Sequence, residues 1–204
     1  MRSYKIHFLR HGATLGNQEG LYIGVTDLKL TTNGINELKR LKNKGIYPNV
    51  SLVFSSPMTR ALESAEIFYP EIKPYVIENF KETNFGEYEG KGMKELSDDP
   101  DFQAWVLGKT DRPKGGESFH EFAERLALGL REAVQVMMDK GVYEASAVMH
   151  GGAIMTLLAI SALPRRQSLN EWGCGYGKGF TVNITPSLYA SSGIIEVIDI
   201  IDEE

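Results

Sequence analysis

The stretch Tyr4-Lys5-Ile6-His7-Phe8-Leu9-Arg10-His11-Gly12-Ala13-Thr14-Leu15-Gly16-Asn17 decides how this chain is read. Tyr4, Ile6 and Phe8 alternate with other residues and Leu9 closes the run, which predicts a buried strand. The run stops at Arg10-His11-Gly12, delivering a cation, an imidazole and a permissive backbone point to one place. Gly12 has no Cβ, so the main chain can turn there or approach a ligand closely. Open α/β sheets bind ligands at the carboxyl ends of their strands. Arg10 and His11 therefore stand where such folds do chemistry.

Outward from this stretch, strands and helices alternate. Ile35, Leu38 and Leu41 recur at helical spacing between Gly34 and Lys44, with Thr31 or Thr32 as cap and Gly45 as stop. Val50 to Phe54 reads as a second strand. It ends at Ser55-Ser56-Pro57, where Ser56 suits a cap and Pro57 a first helical position. The helix predicted from Pro57 to about Phe68 carries Arg60 in its first turn. Ile72 to Ile77 reads as a third strand.

The pattern then breaks. Residues 78–116, rich in glycine and charge, read as an excursion over the top of the sheet, with short helices near Met93 to Leu96 and Asp101 to Leu107. Its aromatic residues Phe80, Phe85, Tyr88, Phe102 and Trp105 read as a small core of its own, with a ring-binding pocket as the alternative. Ser118 and Glu121 form a capping box. It opens the longest helix, with Phe119, Phe122, Ala123, Leu126, Leu130, Val134 and Met137 on one face. Ala145 to Met149 is a fourth strand, running into His150-Gly151-Gly152 and an apolar helix that ends before Pro164. Two tail strands, about Gly179 to Thr185 and Ile194 to Ile200, are joined by a short link and should pair antiparallel.

This alternation predicts one α/β domain over residues 1–204, a mostly parallel sheet covered on both faces. Handed crossovers would bring the carboxyl ends of the first, second and fourth strands to one rim.

Bulk properties narrow the function. The chain has 204 residues, 42% hydrophobic and 24% charged, enough for one full core. A net charge of -5 supplies no general basic field for nucleic acid or an anionic membrane. Any positive charge for an anionic ligand must be concentrated locally. The single cysteine, Cys174, excludes an internal disulfide and a cysteine-based zinc cluster. No apolar run is long enough to span a bilayer, and no secretory apolar core precedes the first strand. The expected setting is the cytoplasm.

Arg10-His11, Arg60 and His150-Gly151-Gly152 all fall on the one rim. The excursion adds the acids Glu82, Glu87 and Glu89, which could fold over them. Two of the chain's four histidines stand at strand ends. The other two read as structural: His7 lies within a strand, and His120 in the first turn of the long helix. Gly173, Gly175, Gly177 and Gly179 form a glycine run that follows no strand and opens no clear helix. It reads as a mobile link rather than a phosphate loop.

Taken together, these motifs resemble the histidine phosphatase superfamily, also called the phosphoglycerate mutase-like family. The resemblance rests on Leu9-Arg10-His11-Gly12 with Thr14 and Asn17, on Gly24, Asp27, Leu30, Thr31 and Gly34, and on Ser55-Ser56-Pro57 with Arg60-Ala61. Glu82, Gly86 and Gly90, and then His150-Gly151-Gly152, complete it. Ala13 and Ser64 depart from the usual residues at positions that do not handle phosphate in the family. The resemblance implies a three-layer α/β/α fold whose mostly parallel sheet has an antiparallel edge. It also implies a metal-independent, acid-type phosphatase that needs no cofactor.

The residues make chemical sense of that reading. A phosphate monoester dianion repels nucleophiles until its charge is neutralised. Arg10 and Arg60 can each fork onto phosphoryl oxygens. His150, the amide of Gly151 at a helix start, and the amide of Asn17 can add contacts. Nearby cations disfavour protonation of His11 and so keep it nucleophilic. The expected mechanism is attack by His11 on phosphorus, giving a phosphohistidine, with Glu82 as proton donor and then as base toward water. Glu87 and Glu89 stay open as alternative donors.

Within the family, no arginine pair over the site matches the glycolytic mutases, and Phe85-Gly86-Glu87-Tyr88-Glu89-Gly90 looks more like the α-ribazole phosphatase and broad-specificity branch. The expected ligand is a small-molecule phosphomonoester. Phosphoglycerate mutase-type transfer is the runner-up, and a weakly catalytic binder of phosphorylated ligands is a third reading.

Overall fold

The computed structural model describes residues 2–203. Its centre is a seven-stranded sheet in the order β3-β2-β4-β1-β6-β7-β5. The strands are β1 (Tyr4–Arg10), β2 (Val53–Ser55), β3 (Tyr75–Val76), β4 (Glu144–Met149), β5 (Ala162–Leu163), β6 (Gly179–Ile184) and β7 (Ile195–Ile201). β1 pairs in parallel with β4, β4 with β2, and β2 with β3. Only β6 runs against its neighbours, antiparallel to both β1 and β7.

Alternation along β1 feeds two cores. Ile6 and Phe8 pack on one face with Leu126, Leu130 and Met137 of α6 (Phe119–Lys140) and Ile154, Leu157 and Leu158 of α7 (Gly151–Ser161). Leu9, Val53 and Val148 pack on the other with Leu38 of α2 (Thr32–Asn43) and Ala61, Ala65 and Phe68 of α3 (Thr59–Phe68). Helices therefore cover both faces, giving the three layers that the alternation of elements demands.

Register builds the rim. Arg10 stands opposite Met149, and Ser55 opposite Val148. The next residues continue the pairing: His11 N–H donates to the Met149 carbonyl at 3.0 Å, and Ser56 N–H to that of Val148 at 2.9 Å. Three segments far apart in sequence thus end side by side.

The excursion holds two short helices after β3, α4 (Met93–Leu96) and α5 (Pro100–Val106). Tyr88, Leu96 and Phe102 form a small separate core with Phe85, Trp105 and Tyr22. Phe80 does not belong to it, but joins the main core instead.

Several local expectations need correction. α3 starts at Thr59, two residues past Pro57, and the Ser56 hydroxyl accepts from Met58 N–H at 3.3 Å and from His150 Nε2–H at 2.7 Å. Asp27, from a distant loop, takes the capping role by accepting from Thr59 N–H and Oγ at 2.8 and 2.6 Å. β3 is only two residues long, since Pro74 has no N–H to give a ladder. Phe119 is half exposed, and the buried face of α6 begins at Phe122. The link between the tail strands is a helix, α8 (Pro186–Ser192), closed by Gly193 at φ 68. None of its residues is buried, so no apolar stripe announced it. One further helix, α1 (Leu15–Gln18), follows the Arg10-His11-Gly12 turn.

Candidate active site

His11 is fixed by its own turn. Its Nδ1–H donates to the Gly12 carbonyl at 2.6 Å, which leaves Nε2 as the lone-pair nitrogen. Gly12 N–H donates to Ser64 Oγ at 3.0 Å, and a Cβ on Gly12 would stand 2.8 Å from Leu38 Cδ1. Glycine is thus what allows this turn to sit on α2. The His11 ring lies 5.1 Å from the His150 ring at 63°. Burial first, then the charges of Arg60 and Arg10, lower the His11 pKa to about 3, against the opposing bond to Gly12. His11 is a neutral imidazole at any ordinary pH.

Arg60 is buried yet paired with no carboxylate. Nη2 donates to the Gly24 carbonyl at 2.7 Å, Nη1 to that of Thr26 at 2.9 Å, and Nε to His150 Nδ1 at 3.2 Å. Since His150 Nδ1 accepts, the ring's hydrogen sits on Nε2, which donates to Ser56 Oγ at 2.7 Å. Burial, with Arg60 and Arg10 adding repulsion, holds His150 well below the ordinary histidine pKa. The structure brings His150 to the site, but with both ring nitrogens engaged by protein groups.

Arg10 reaches the same place from β1. Its Nη1 donates to the Cys174 carbonyl at 2.7 Å, while its Nε is buried without a partner. A Cβ on Gly151 would lie 3.0 Å from that Nε, so glycine lets the guanidinium lie against the start of α7. The glycine run 173–179 is therefore no free link: it also donates Gly177 N–H to the Arg10 carbonyl at 2.9 Å.

Of the three candidate acids, Glu82 alone reaches the site. It is 7% exposed, and its carboxylate accepts from Thr83 N–H and Gly152 N–H, both at 2.9 Å. Burial outweighs those two bonds and the attraction of Arg60 and Arg10, so its pKa is raised. Arg125 steadies this segment by donating to the carbonyls of Asn79 and Lys81 while forked onto Glu117. Glu87 points outward to Lys114.

Glu89 is structural, which sequence reasoning did not find. Its carboxylate accepts from the amides of Gly24, Val25, Thr26 and Phe85 at 3.0–3.1 Å, and from Thr26 Oγ at 2.5 Å. It thereby shapes the loop whose carbonyls orient Arg60. Asn17 accepts from Thr14 N–H and Oγ through Oδ1. The structural reading of His7 fits: it is buried between Thr181 Oγ at 2.9 Å and Glu144 at 3.1 Å. Among the described residues, no group of three or more histidine, cysteine, aspartate or glutamate side chains is arranged to hold a metal ion. No helix among them is long and apolar enough to cross a membrane.

A neutral imidazole, two guanidiniums without carboxylate partners and a buried acid are gathered at one rim of the sheet, a combination with the charge to receive an anion and the groups to move a proton. The chain belongs to the histidine phosphatase superfamily, branch 1, whose family model matches residues 6–176. It is 25% identical over 160 residues to an adenosylcobalamin/alpha-ribazole phosphatase of Escherichia coli, covering 76% of this chain and 77% of that protein. Over 117 residues it is 31% identical to a 2,3-bisphosphoglycerate-dependent phosphoglycerate mutase of Tropheryma whipplei, 52% of each chain. The fold is shared with the alpha-ribazole phosphatase of Shigella flexneri at a TM-score of 0.79 and 21% identity, covering 97% of this chain and 96% of that one.

Proposed function

We propose that this chain is a phosphomonoesterase acting on a small phosphorylated metabolite through a phosphohistidine on His11. The observation that carries the reading is the state of His11: Nδ1–H is tied to Gly12, so Nε2 offers its lone pair, and two guanidiniums stand beside it. Arg10 and Arg60 neutralise the dianion with N–H groups that no carboxylate claims. The Gly151 amide, the Asn17 carboxamide and His150, which turns its Nε2–H from Ser56 to a phosphoryl oxygen, complete the grip. His11 Nε2 forms the N–P bond as the P–O bond to the alcohol breaks. Glu82, in the protonated form that its burial favours, gives its proton to the departing alkoxide. It then takes a proton from the water that cleaves the N–P bond. Acid–base help of this kind supplies about 100- to 10,000-fold, roughly 3–5 kcal/mol. Positioning and charge stabilisation supply the rest.

The arginines do the neutralising, so the reaction needs no added metal. The chain works as one domain, in the cytoplasm, and similarity to alpha-ribazole phosphatases favours hydrolysis. Similarity of half the chain to a phosphoglycerate mutase supports a second reading, transfer within phosphoglycerate. A phosphomonoester panel, run with and without chelator beside an assay of 2- and 3-phosphoglycerate interconversion, separates the two. Phosphate release insensitive to chelator is expected. Fast interconversion with little release overturns hydrolysis.

A further inference from the structure

We propose that Tyr176, in the glycine run, is a positioning residue that holds the Arg10 guanidinium flat for an incoming phosphate. The Tyr176 ring lies under Arg10, its centroid 4.0 Å from Cζ, and 6.2 Å from the His11 ring. The loop also grips the same arginine by its ends. Cys174 O accepts from Nη1 at 2.7 Å, Gly177 N–H donates to the Arg10 carbonyl at 2.9 Å, and Arg10 N–H donates to the Lys178 carbonyl at 2.9 Å. Gly177 anchors this loop: its φ is +73, and a Cβ there would come within 3.0 Å of Leu38, Leu41 and Tyr47.

The choice of an aromatic has a physical reason. All guanidinium donors lie in the plane of the group, whereas the attraction to a ring acts on its face. A carboxylate partner would fix Arg10 too, but it would consume donors and cancel the charge that a phosphate needs. The ring does neither. With Nη1 on Cys174 O and the face on Tyr176, the Nε edge is what remains, and it is buried and unpartnered. A buried donor left open in an otherwise clamped side chain marks where an anion oxygen binds.

The proposal rests on Arg10 being a phosphate ligand, and it is tested without turnover, by titrating inorganic phosphate and following its phosphorus NMR signal. Tyr176→Leu is expected to weaken phosphate binding about 3- to 30-fold, the range of such stacking energies. Tyr176→Phe keeps the ring and should restore binding to within about twofold. In an Arg10→Gln background, Tyr176→Leu should cause no further loss. Unchanged binding by Tyr176→Leu, an equal loss in Tyr176→Phe, a loss that persists without Arg10, or no phosphate binding by the wild type each overturns the proposal. A chain that binds phosphate in this Tyr176-dependent way yet hydrolyses no phosphomonoester sinks the phosphatase reading and upholds the positioning role.

Discussion

At the scale of single residues, His11 and Glu82 carry opposite shifts from one cause. Burial disfavours whichever form is charged, so it lowers the imidazole and raises the carboxyl. Burial thus favours the free base of His11 and the protonated form of Glu82 together. The profile of kcat, in which the free substrate's own second ionisation at about 6 does not appear, should show no acid limb near the ordinary histidine value of 6.5, because burial and the two arginines lower the His11 pKa to about 3. It should fall on the alkaline side as Glu82 loses its proton. Glu82→Gln should abolish that alkaline limb and slow turnover of alkyl phosphates about 100- to 10,000-fold. A nitrophenyl phosphate, whose leaving group needs no proton, should suffer much less. An acid limb at an ordinary histidine pKa would refute the assignment.

At the scale of elements, Arg10, Glu82 and Glu89 are held largely by backbone groups of neighbouring segments. A Cβ on Gly152 would stand 2.6 Å from Glu82 Oε1. Gly152→Ala should thus displace the acid and shift the alkaline limb, while the melting temperature barely moves, since alanine suits a helix start no worse than glycine. Glu89→Ala strips acceptors from the amides of Gly24, Val25, Thr26 and Phe85. It should cost about 1–3 kcal/mol in denaturant unfolding and raise KM by loosening Arg60. Unchanged KM with lowered stability would detach Glu89 from the site.

The same contrast explains what the sequence made legible. Arg10, His11, Arg60 and His150 were readable because each follows a strand or opens a helix on one rim. The capping box of Ser118 and Glu121 was readable because its partners are three residues apart. Glu89 was not, because most of its partners, the amides of Gly24, Val25 and Thr26 and the Thr26 hydroxyl, lie more than sixty residues away. For a related reason α8 leaves no mark in the sequence and the glycine run reads there as a mobile link. One buries nothing on its own helix face, and the other is ordered only by what it touches.

At the scale of the molecule, two neutral imidazoles are folded into a site beside two cations. Both His11 and His150 have folded pKa values below 6.5, so the unfolded chain binds their protons more readily. Stability from this source is complete above 6.5 and drains away as pH falls toward the folded value of about 3 for His11. Each histidine contributes up to about 1.4 kcal/mol per pH unit between 6.5 and its own lowered folded value. Glu82 acts in the opposite sense: its raised pKa gives stability that is full below 4.5 and lost as pH rises through the folded value. The melting temperature should drop on acidification from about 6.5, and His11→Gln should flatten that drop. An unchanged slope would mean that His11 is not held neutral.

β1, α3 and the β4–α7 junction converge on one site, and the mechanism proposed for it makes a single chemical demand: the phosphoryl group passes through His11. Rapid quenching during turnover, followed by peptide mass spectrometry, tests this directly. The expected result is an acid-labile phosphate on His11, absent from His11→Ala and accumulating in Glu82→Gln with a good leaving group. Turnover with no phosphorylated enzyme, or with the phosphate on another residue, would contradict it.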